Sequence, residues 1–269
     1  MVDDDTTTKL STLEFDVLVE QLELPMPLVL KVPSPGRTHS ERAELVETAW
    51  RSMRRRGLGR PTAVAPRLAR MLRVLCQPDR EVDGRLWLAG SCRLLAAARS
   101  GDPQGVLAVK TGETLALREI PASGLARAAV SVLPPQPAGP GRSVSLRSRD
   151  LDSAAAETGS TVEHLAAALR KRGVRSDDAE MLTRMVTGAG WRGQFGAAAK
   201  DQLGQRVRGS YVVGFFDTEH GRYVQLRRPS PSAELWSTIA PVDQRRLLAH
   251  VEELLAEVTC REPSPIGLG

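Results

Sequence analysis

The sequence predicts a mixed α/β fold of the α+β type, built from two similar halves. Two observations lead to it. A β-hairpin is predicted within residues 209–229, and helices and strands occur in the same order before and after a proline-rich segment. That segment, residues 134–141, reads Pro-Pro-Gln-Pro-Ala-Gly-Pro-Gly, which is typical of a linker. An internal duplication is therefore predicted.

The hairpin is predicted because two apolar stretches flank a five-residue polar loop, residues 217–221. In the first stretch, Tyr211, Val213 and Phe215 share one face of a strand, while Val212 and Phe216 share the other. A strand that is apolar on both faces needs cover on both sides, so we expect it inside a sheet.

Helix caps mark the first half of the chain. Ser11 with Glu14, and Thr38 with Glu41, have the spacing of a capping box, and apolar residues recur at helical intervals after each pair. Another helix is predicted from Pro66 to about residue 76. Between the first two helices, the apolar run 28–32 lies between prolines and is predicted to be a strand.

Four short apolar stretches follow, and a short helix over residues 125–133 comes after them. Gly, Pro and polar residues separate the stretches, which favours an antiparallel meander. The predicted strands cover 81–88, 92–98, 106–110 and 115–120.

The second half repeats this order. A capping box at Ser160 and Glu163 precedes one helix, a second helix covers 177–187, and strands within 194–208 lead to the hairpin. The last helix is predicted to start with Pro241 at its first position. We expect one domain, 1–269, with halves at 11–135 and 151–260 and a linker at 136–150. The halves either share one sheet or pack about a pseudo-two-fold axis.

The charge balance leaves one alternative function open. The net charge is +5 and the pI is about 9.5, which is compatible with nucleic-acid binding. The dense basic cluster is Arg54-Arg55-Arg56, at a predicted helix C-terminus where cations suit the helix dipole. It is either a solvated helix end or a phosphate-binding patch.

No motif indicates catalysis. The four histidines lack metal-ligand spacing, and the three cysteines contain no C-x-x-C pair. Residues 188–193 match G-x-G-x-x-G, but a helix precedes them where a dinucleotide site needs a strand. We therefore expect no catalytic residue, metal or cofactor. The acidic N-terminus is unlike a secretory signal and no apolar run spans a membrane, which predicts a cytoplasmic protein.

The aromatic residues concentrate in the second half of the chain. They either pack its core or form an exposed anchoring surface, because Trp and Tyr concentrate at binding hot spots. With no catalytic motif, this distribution favours a binding protein. The residues are Trp191, Phe195, Tyr211, Phe215, Phe216, Tyr223 and Trp236.

Several short motifs, in the same order along the chain, resemble the EspG family of type VII (ESX) secretion-associated proteins of mycobacteria and related actinobacteria. The more specific ones are the segment 139–144, Gly-Pro-Gly-Arg-Ser-Val, and the hairpin segment 217–223, Asp-Thr-Glu-His-Gly-Arg-Tyr. The others are 24–30 (Leu-Pro-Met-Pro-Leu-Val-Leu), Gly36-Arg37-Thr38, Glu41-Arg42, Arg56-Gly57-Leu58 and Ile239-Ala240-Pro241.

The resemblance implies a cytosolic chaperone-adaptor with a central antiparallel sheet, helical bundles and two pseudo-symmetric halves. Family members bind PE–PPE heterodimers through the apolar tip of the PPE protein, keep them soluble and deliver them to the cognate secretion machine. The resemblance places the partner groove at the hairpin and the C-terminal helices. It implies no nucleic-acid partner, and it leaves a homodimer of the free protein open.

Candidate contacts in that groove are aromatic anchors with one polar rim residue. If the groove lies there, Phe215→Asp should abolish partner binding in a protein that still folds. The candidates are Arg208, Tyr211, Phe215, Tyr223 and Trp236.

Overall fold

The computed structural model describes residues 7–159 and 162–260. In the first half, capping boxes at Ser11–Glu14 and Thr38–Glu41 start the first two helices, as predicted. The elements are β1 (Thr8–Ser11), α1 (Thr12–Gln21), a 3-10 turn (Leu28–Leu30), α2 (His39–Arg55), β2 (Gly59–Arg60), β3 (Ala63–Val64), α3 (Pro66–Cys76), β4 (Arg80–Trp87), β5 (Ser91–Ala98), β6 (Gln104–Thr111), β7 (Thr114–Pro121), a 3-10 turn (Ala122–Gly124) and α4 (Leu125–Val130).

The second half starts with a strand that runs directly into a helix, as the first half does. The predicted capping box at Ser160 lies outside the described residues. The elements are β8 (Val144–Arg147), α5 (Ser148–Thr158), a 3-10 turn (Val162–His164), α6 (Leu165–Lys171), α7 (Ser176–Val186), β9 (Arg192–Lys200), β10 (Arg206–Arg208), β11 (Val213–Thr218), β12 (Gly221–Pro229), β13 (Leu235–Pro241) and α8 (Gln244–Thr259).

One antiparallel sheet runs through both halves, which confirms the predicted fold class. Within the described ranges its order is β1-β7-β6-β5-β4-β9-β11-β12-β13-β8, and β10 pairs with β9. Read outward from the central β4–β9 pair, the first half runs β4, β5, β6, β7 and ends on its first strand, β1. The second half runs β9, β11, β12, β13 and likewise ends on its first strand, β8. This order supports the predicted duplication. The duplication and the boundaries of the halves stay predictions.

Helices cover the two faces of the sheet differently. On one face, α4 and α8 pack together over the middle of the sheet and bury alternate residues of the central strands, such as Val82 and Phe195. On the other face, α1–α3 cover the first half and α5–α7 cover the second, each around its own apolar cluster. Two helical bundles, α1–α3 and α5–α7, therefore lie side by side on this face of one continuous sheet.

A set of contacts that we call the clasp holds the segment 134–140 against the β11–β12 hairpin. The Arg222 guanidinium donates to both carboxylate oxygens of Asp217, at 2.7 and 2.8 Å, and to the carbonyl of Pro134 at 3.1 Å. The Tyr223 hydroxyl donates to the carbonyl of Pro140 at 3.0 Å. A Cβ at Gly139 would overlap the Tyr223 ring, so this close approach requires glycine.

Three local predictions were wrong. Residues 28–30 form a 3-10 turn rather than a strand, and no described strand pairs with them. The hairpin loop is two residues long, because Thr218 pairs with Gly221 and extends the ladder into the predicted five-residue loop. Pro241 ends β13 instead of starting the last helix. That helix is capped by the Asp243 side chain, which accepts from the Arg246 amide at 2.8 Å.

Candidate partner-binding cleft

A cleft lies between the two helical bundles, and the central strands form its floor. Along β4, Val82 and Leu86 point to the α8 side. The intervening residues Asp83, Arg85 and Trp87 line the cleft, as strand alternation requires. One face of the centre of the sheet therefore lines the cleft, while the opposite face lies in the core.

The part of the cleft beside the α5–α7 bundle is apolar. It is a cavity of about 770 Å³, and Ala155 and Ala189 are exposed in it. A concave apolar surface of this kind is typical of a binding site. Its apolar walls come from the helices and the strands beneath them: Leu151, Ala155, Val162, Leu165, Val186, Ala189, Trp87, Val212, Phe216 and Ile239.

The part beside the first bundle, which we call the charged part, has charged side chains on its floor and apolar residues in its walls. It is a cavity of about 700 Å³, walled by the segment 25–29, and it shares Gln194 and Val212 with the apolar part. On its floor, Arg208 donates to both carboxylate oxygens of Asp83, at 2.7 and 3.1 Å. These hydrogen bonds raise the pKa of Arg208 above its ordinary value. Arg206 also pairs with a carboxylate, donating from two guanidinium nitrogens to one oxygen of Glu81.

Gly196 makes room for the Arg208–Asp83 pair. A Cβ at this position would overlap the Arg208 guanidinium and lie 2.9 Å from the Asp83 carboxylate. The glycine in β9 therefore lets the side chain of Arg208 cross this strand and reach Asp83 on β4.

One cysteine, Cys76, lines the charged part of the cleft. Burial raises the pKa of the Cys76 thiol to about 12, so this cysteine is a neutral thiol rather than a nucleophile. Across residues 7–159 and 162–260, no group of three His, Cys, Asp or Glu side chains could hold a metal ion. No described helix is long and apolar enough to cross a membrane.

Two of the five sequence-predicted contacts lie in the core. Phe215 is 2% exposed and stacks on Phe195 under α8, with ring centroids 5.9 Å apart. Tyr223 is 2% exposed and packs against Phe216 on the other face of the sheet. These rings follow the core alternative rather than that of exposed anchors, because strand pairing and helix cover leave them almost no free surface. A role of either residue in partner binding stays a prediction.

The other three candidates lie apart from one another. Arg208 lines the charged part of the cleft. Tyr211 packs on the α8 side, where the Arg228 guanidinium lies 4.4 Å from its ring centroid. Trp236 is exposed on β13, opposite Arg147 of the outermost strand β8. The five residues therefore do not form one site, and only Arg208 belongs to the polar floor.

The cleft residues that sequence reasoning missed carry little local signal. Ala155 and Ala189 are ordinary small residues, and their role depends on where α5 and the loop after α7 lie above the sheet. Trp87 could have been found, because an aromatic residue ending a strand beside the turn 88–90 is a candidate for exposure; it is 42% exposed.

The basic cluster of the alternative function is largely neutralised. Arg54 pairs with Glu47 at 2.8 Å, and Arg56 pairs with Glu14 at 2.5 Å and donates to the carbonyl of Lys9 at 2.7 Å. A phosphate would have to compete with these carboxylates, which weakens the nucleic-acid hypothesis for this helix end.

Comparisons with known proteins agree with this architecture. The fold is similar to that of the Mycobacterium tuberculosis type VII secretion system chaperone EspG5, solved in complex with the PE25–PPE41 dimer, with a TM-score of 0.72 and 16% sequence identity. The match covers 96% of this chain and 98% of that chain. No curated protein sequence matches the chain significantly. The model of the EspG family matches residues 11–253, nearly the whole chain, and the chain therefore belongs to the EspG family.

Proposed function

We propose that this protein is a cytoplasmic, non-catalytic chaperone-adaptor that binds a PE–PPE heterodimer in the cleft between its helical bundles. The apolar cavity between α5–α7 and the sheet carries the proposal. Membership in the EspG family and the likeness to EspG5, a chaperone solved with a PE–PPE dimer, support it. Delivery of the dimer to a type VII secretion machine is part of the same proposal.

The physical basis is the burial of an apolar helix tip. An exposed apolar tip on a helical partner would promote aggregation, and burial in the cleft removes that surface from water. A stable complex buries about 1,600 Å² in total. The apolar and charged parts of the cleft adjoin through Gln194 and Val212, so one partner can contact both.

Co-expression tests the proposal directly. The tagged protein is expressed with each PE–PPE pair of its own genome and recovered in moderate salt. A stoichiometric ternary complex with at least one pair is the expected result. Recovery of the tagged protein without any pair, together with salt-sensitive binding to DNA, would replace the proposal with the nucleic-acid alternative.

Ala155→Gln tests the position of the site. Ala155 is an exposed residue of α5 that lines the apolar cavity, so glutamine there places an uncompensated amide in the interface. We expect a loss of about 1–3 kcal/mol of binding free energy, or roughly 5- to 150-fold in Kd, with little change in Tm. Calorimetric titration of the purified PE–PPE dimer into each protein measures the change in Kd.

Ala156→Gln is the matched control. Ala156 is the next residue of the same helix, is also exposed and does not line the cavity. It should bind as the unmodified protein does. If the two variants bind the PE–PPE dimer with equal affinity, the apolar cavity is not the binding site.

A further inference from the structure

A row of cations crosses the sheet at the edge of the cleft. Strand register places Arg85 of β4 directly opposite Arg93 of β5, and Arg93 directly opposite Lys110 of β6. In the adjacent row, Arg192 of β9 lies opposite Trp87 of β4. We call Arg85, Arg93, Lys110 and Arg192 the basic patch.

Within the described parts of the chain, no carboxylate forms an ion pair with a member of the basic patch. Asp83 is the nearest acid along β4, two residues before Arg85 on the same face. Its carboxylate already forms an ion pair with Arg208. The Lys110 ammonium donates to the backbone carbonyl of Lys31 at 3.0 Å. This carbonyl carries no formal charge, so the positive charge of Lys110 is not neutralised by it.

The remaining contacts of the basic patch are also uncharged. The Arg93 guanidinium lies 5.2 Å from the centroid of the Trp87 ring and donates to the carbonyl of Cys92. Arg85 and Arg192 are exposed. Like charges directly opposite each other on adjacent strands destabilise a sheet, so this arrangement costs stability that an anionic partner would restore.

We propose that the basic patch binds a carboxylate-bearing segment of the same protein partner whose apolar tip enters the cleft; this rests on the proposed function. Trp87 and Arg192 line the apolar cavity and also border or belong to the basic patch. A helix that places apolar residues in the cavity therefore brings its next turn over the patch. Acidic residues flanking an apolar tip match this surface in charge and position.

A nucleic acid fits the same surface less well. Phosphate tracking needs a continuous basic groove without acidic side chains at its border. The basic patch is bordered on one side by the apolar cavity and on another by the Asp83–Arg208 and Glu81–Arg206 pairs. A polypeptide with separate apolar and acidic positions satisfies both parts of the surface.

The double variant Arg85→Glu/Arg93→Glu tests the proposal on the PE–PPE dimer recovered by co-expression. We expect Kd to rise by at least about 10-fold in low salt, because like charges then face each other across the interface. The affinity of the unmodified protein should fall between about 50 and 200 mM salt, and that of the variant should fall less. Unchanged affinity and salt dependence would overturn the proposal.

Arg127→Glu/Arg245→Glu is the control with the same change in net charge. Both residues are exposed, on α4 and α8 at the opposite side of the sheet. It should bind the dimer as the unmodified protein does. An equal loss in both double variants would show a net-charge effect and overturn the assignment to the basic patch.

A second probe separates this proposal from the proposed function. Labelled decaglutamate and a short DNA duplex are titrated against the unmodified protein and the Arg85→Glu/Arg93→Glu variant. Binding of decaglutamate that the variant loses supports an acidic-peptide site, even if no dimer is recovered. Equal binding of decaglutamate by both proteins, or tighter binding of the duplex than of the peptide, would overturn it.

Discussion

Arg222→Met is expected to destabilise the protein by about 3–5 kcal/mol, the cost of leaving one partner of a buried ion pair unpaired. Arg222 is fully buried and Asp217 is 4% exposed in their side chains, and two hydrogen bonds join them. Methionine fills a similar volume with no charge. The Asp217 carboxylate would remain in the core without its counter-ion.

The effect should extend beyond the ion pair, because Arg222 also holds the segment between the two halves. Its side chain donates to the carbonyl of Pro134, and its backbone amide donates to the carbonyl of Pro137 at 2.8 Å. Equilibrium denaturant unfolding measures the loss. The companion variant Asp217→Asn/Arg222→Met should recover part of it, since no buried charge is then left unpaired.

Arg227→Met is the control. Arg227 lies on the same strand and pairs with Asp152, but both side chains are about half exposed, and such a pair contributes about 0–1 kcal/mol. If Arg222→Met unfolds no more easily than Arg227→Met, the clasp does not stabilise the fold. The two most specific motifs of the chain, 139–144 and 217–223, would then need another explanation.

Several helices of the first half were predictable because their signals are local, whereas α5 was not predicted. The Thr38–Glu41 capping box and the apolar spacing after it determine where α2 starts, and Pro66 at the first position determines the start of α3. The antiparallel meander β4–β7 was predictable for a similar reason, since short turns join consecutive strands and leave few alternative pairings.

Elements with distant partners were not predictable. The strands β1 and β8 are four residues long, and each pairs with the last strand of its half, more than 80 residues away along the chain. Residues 28–32 have strand-like composition, but no strand in the described part of the chain pairs with them and the turn at 28–30 forms instead. Whether a segment forms a strand depends on a pairing partner, and the composition of the segment does not specify that partner.

The candidate site was the least predictable part, because its residues are assembled by packing. Trp87, Ala155 and Val212 are far apart in sequence and meet only where the bundle of α5–α7 leaves the sheet uncovered. The sequence correctly divided the hairpin into two apolar faces. It also predicted cover on both faces, and helices do cover both, so Phe215 and Tyr223 lie in the core rather than at the surface.

Phe215→Asp decides between those two interpretations of the hairpin. The ring lies in the cluster beneath α8, against Phe195, with the Arg222 guanidinium 5.3 Å from its centroid. Truncating a buried phenylalanine costs about 3–5 kcal/mol, and aspartate adds the desolvation of a carboxylate. We expect the variant to lose its cooperative thermal transition, in contrast to a surface anchor, whose loss would spare the fold.

Trp236→Asp provides the comparison within the same predicted group. This residue is 37% exposed at the edge of the sheet, so aspartate there should leave a cooperative transition within a few degrees of the original Tm. Both variants are measured by circular dichroism on heating and by recovery of the PE–PPE dimer. A Phe215→Asp protein that melts cooperatively but recovers no dimer would place the partner on the α8 side of the sheet. The cleft between the bundles would then not be the binding site.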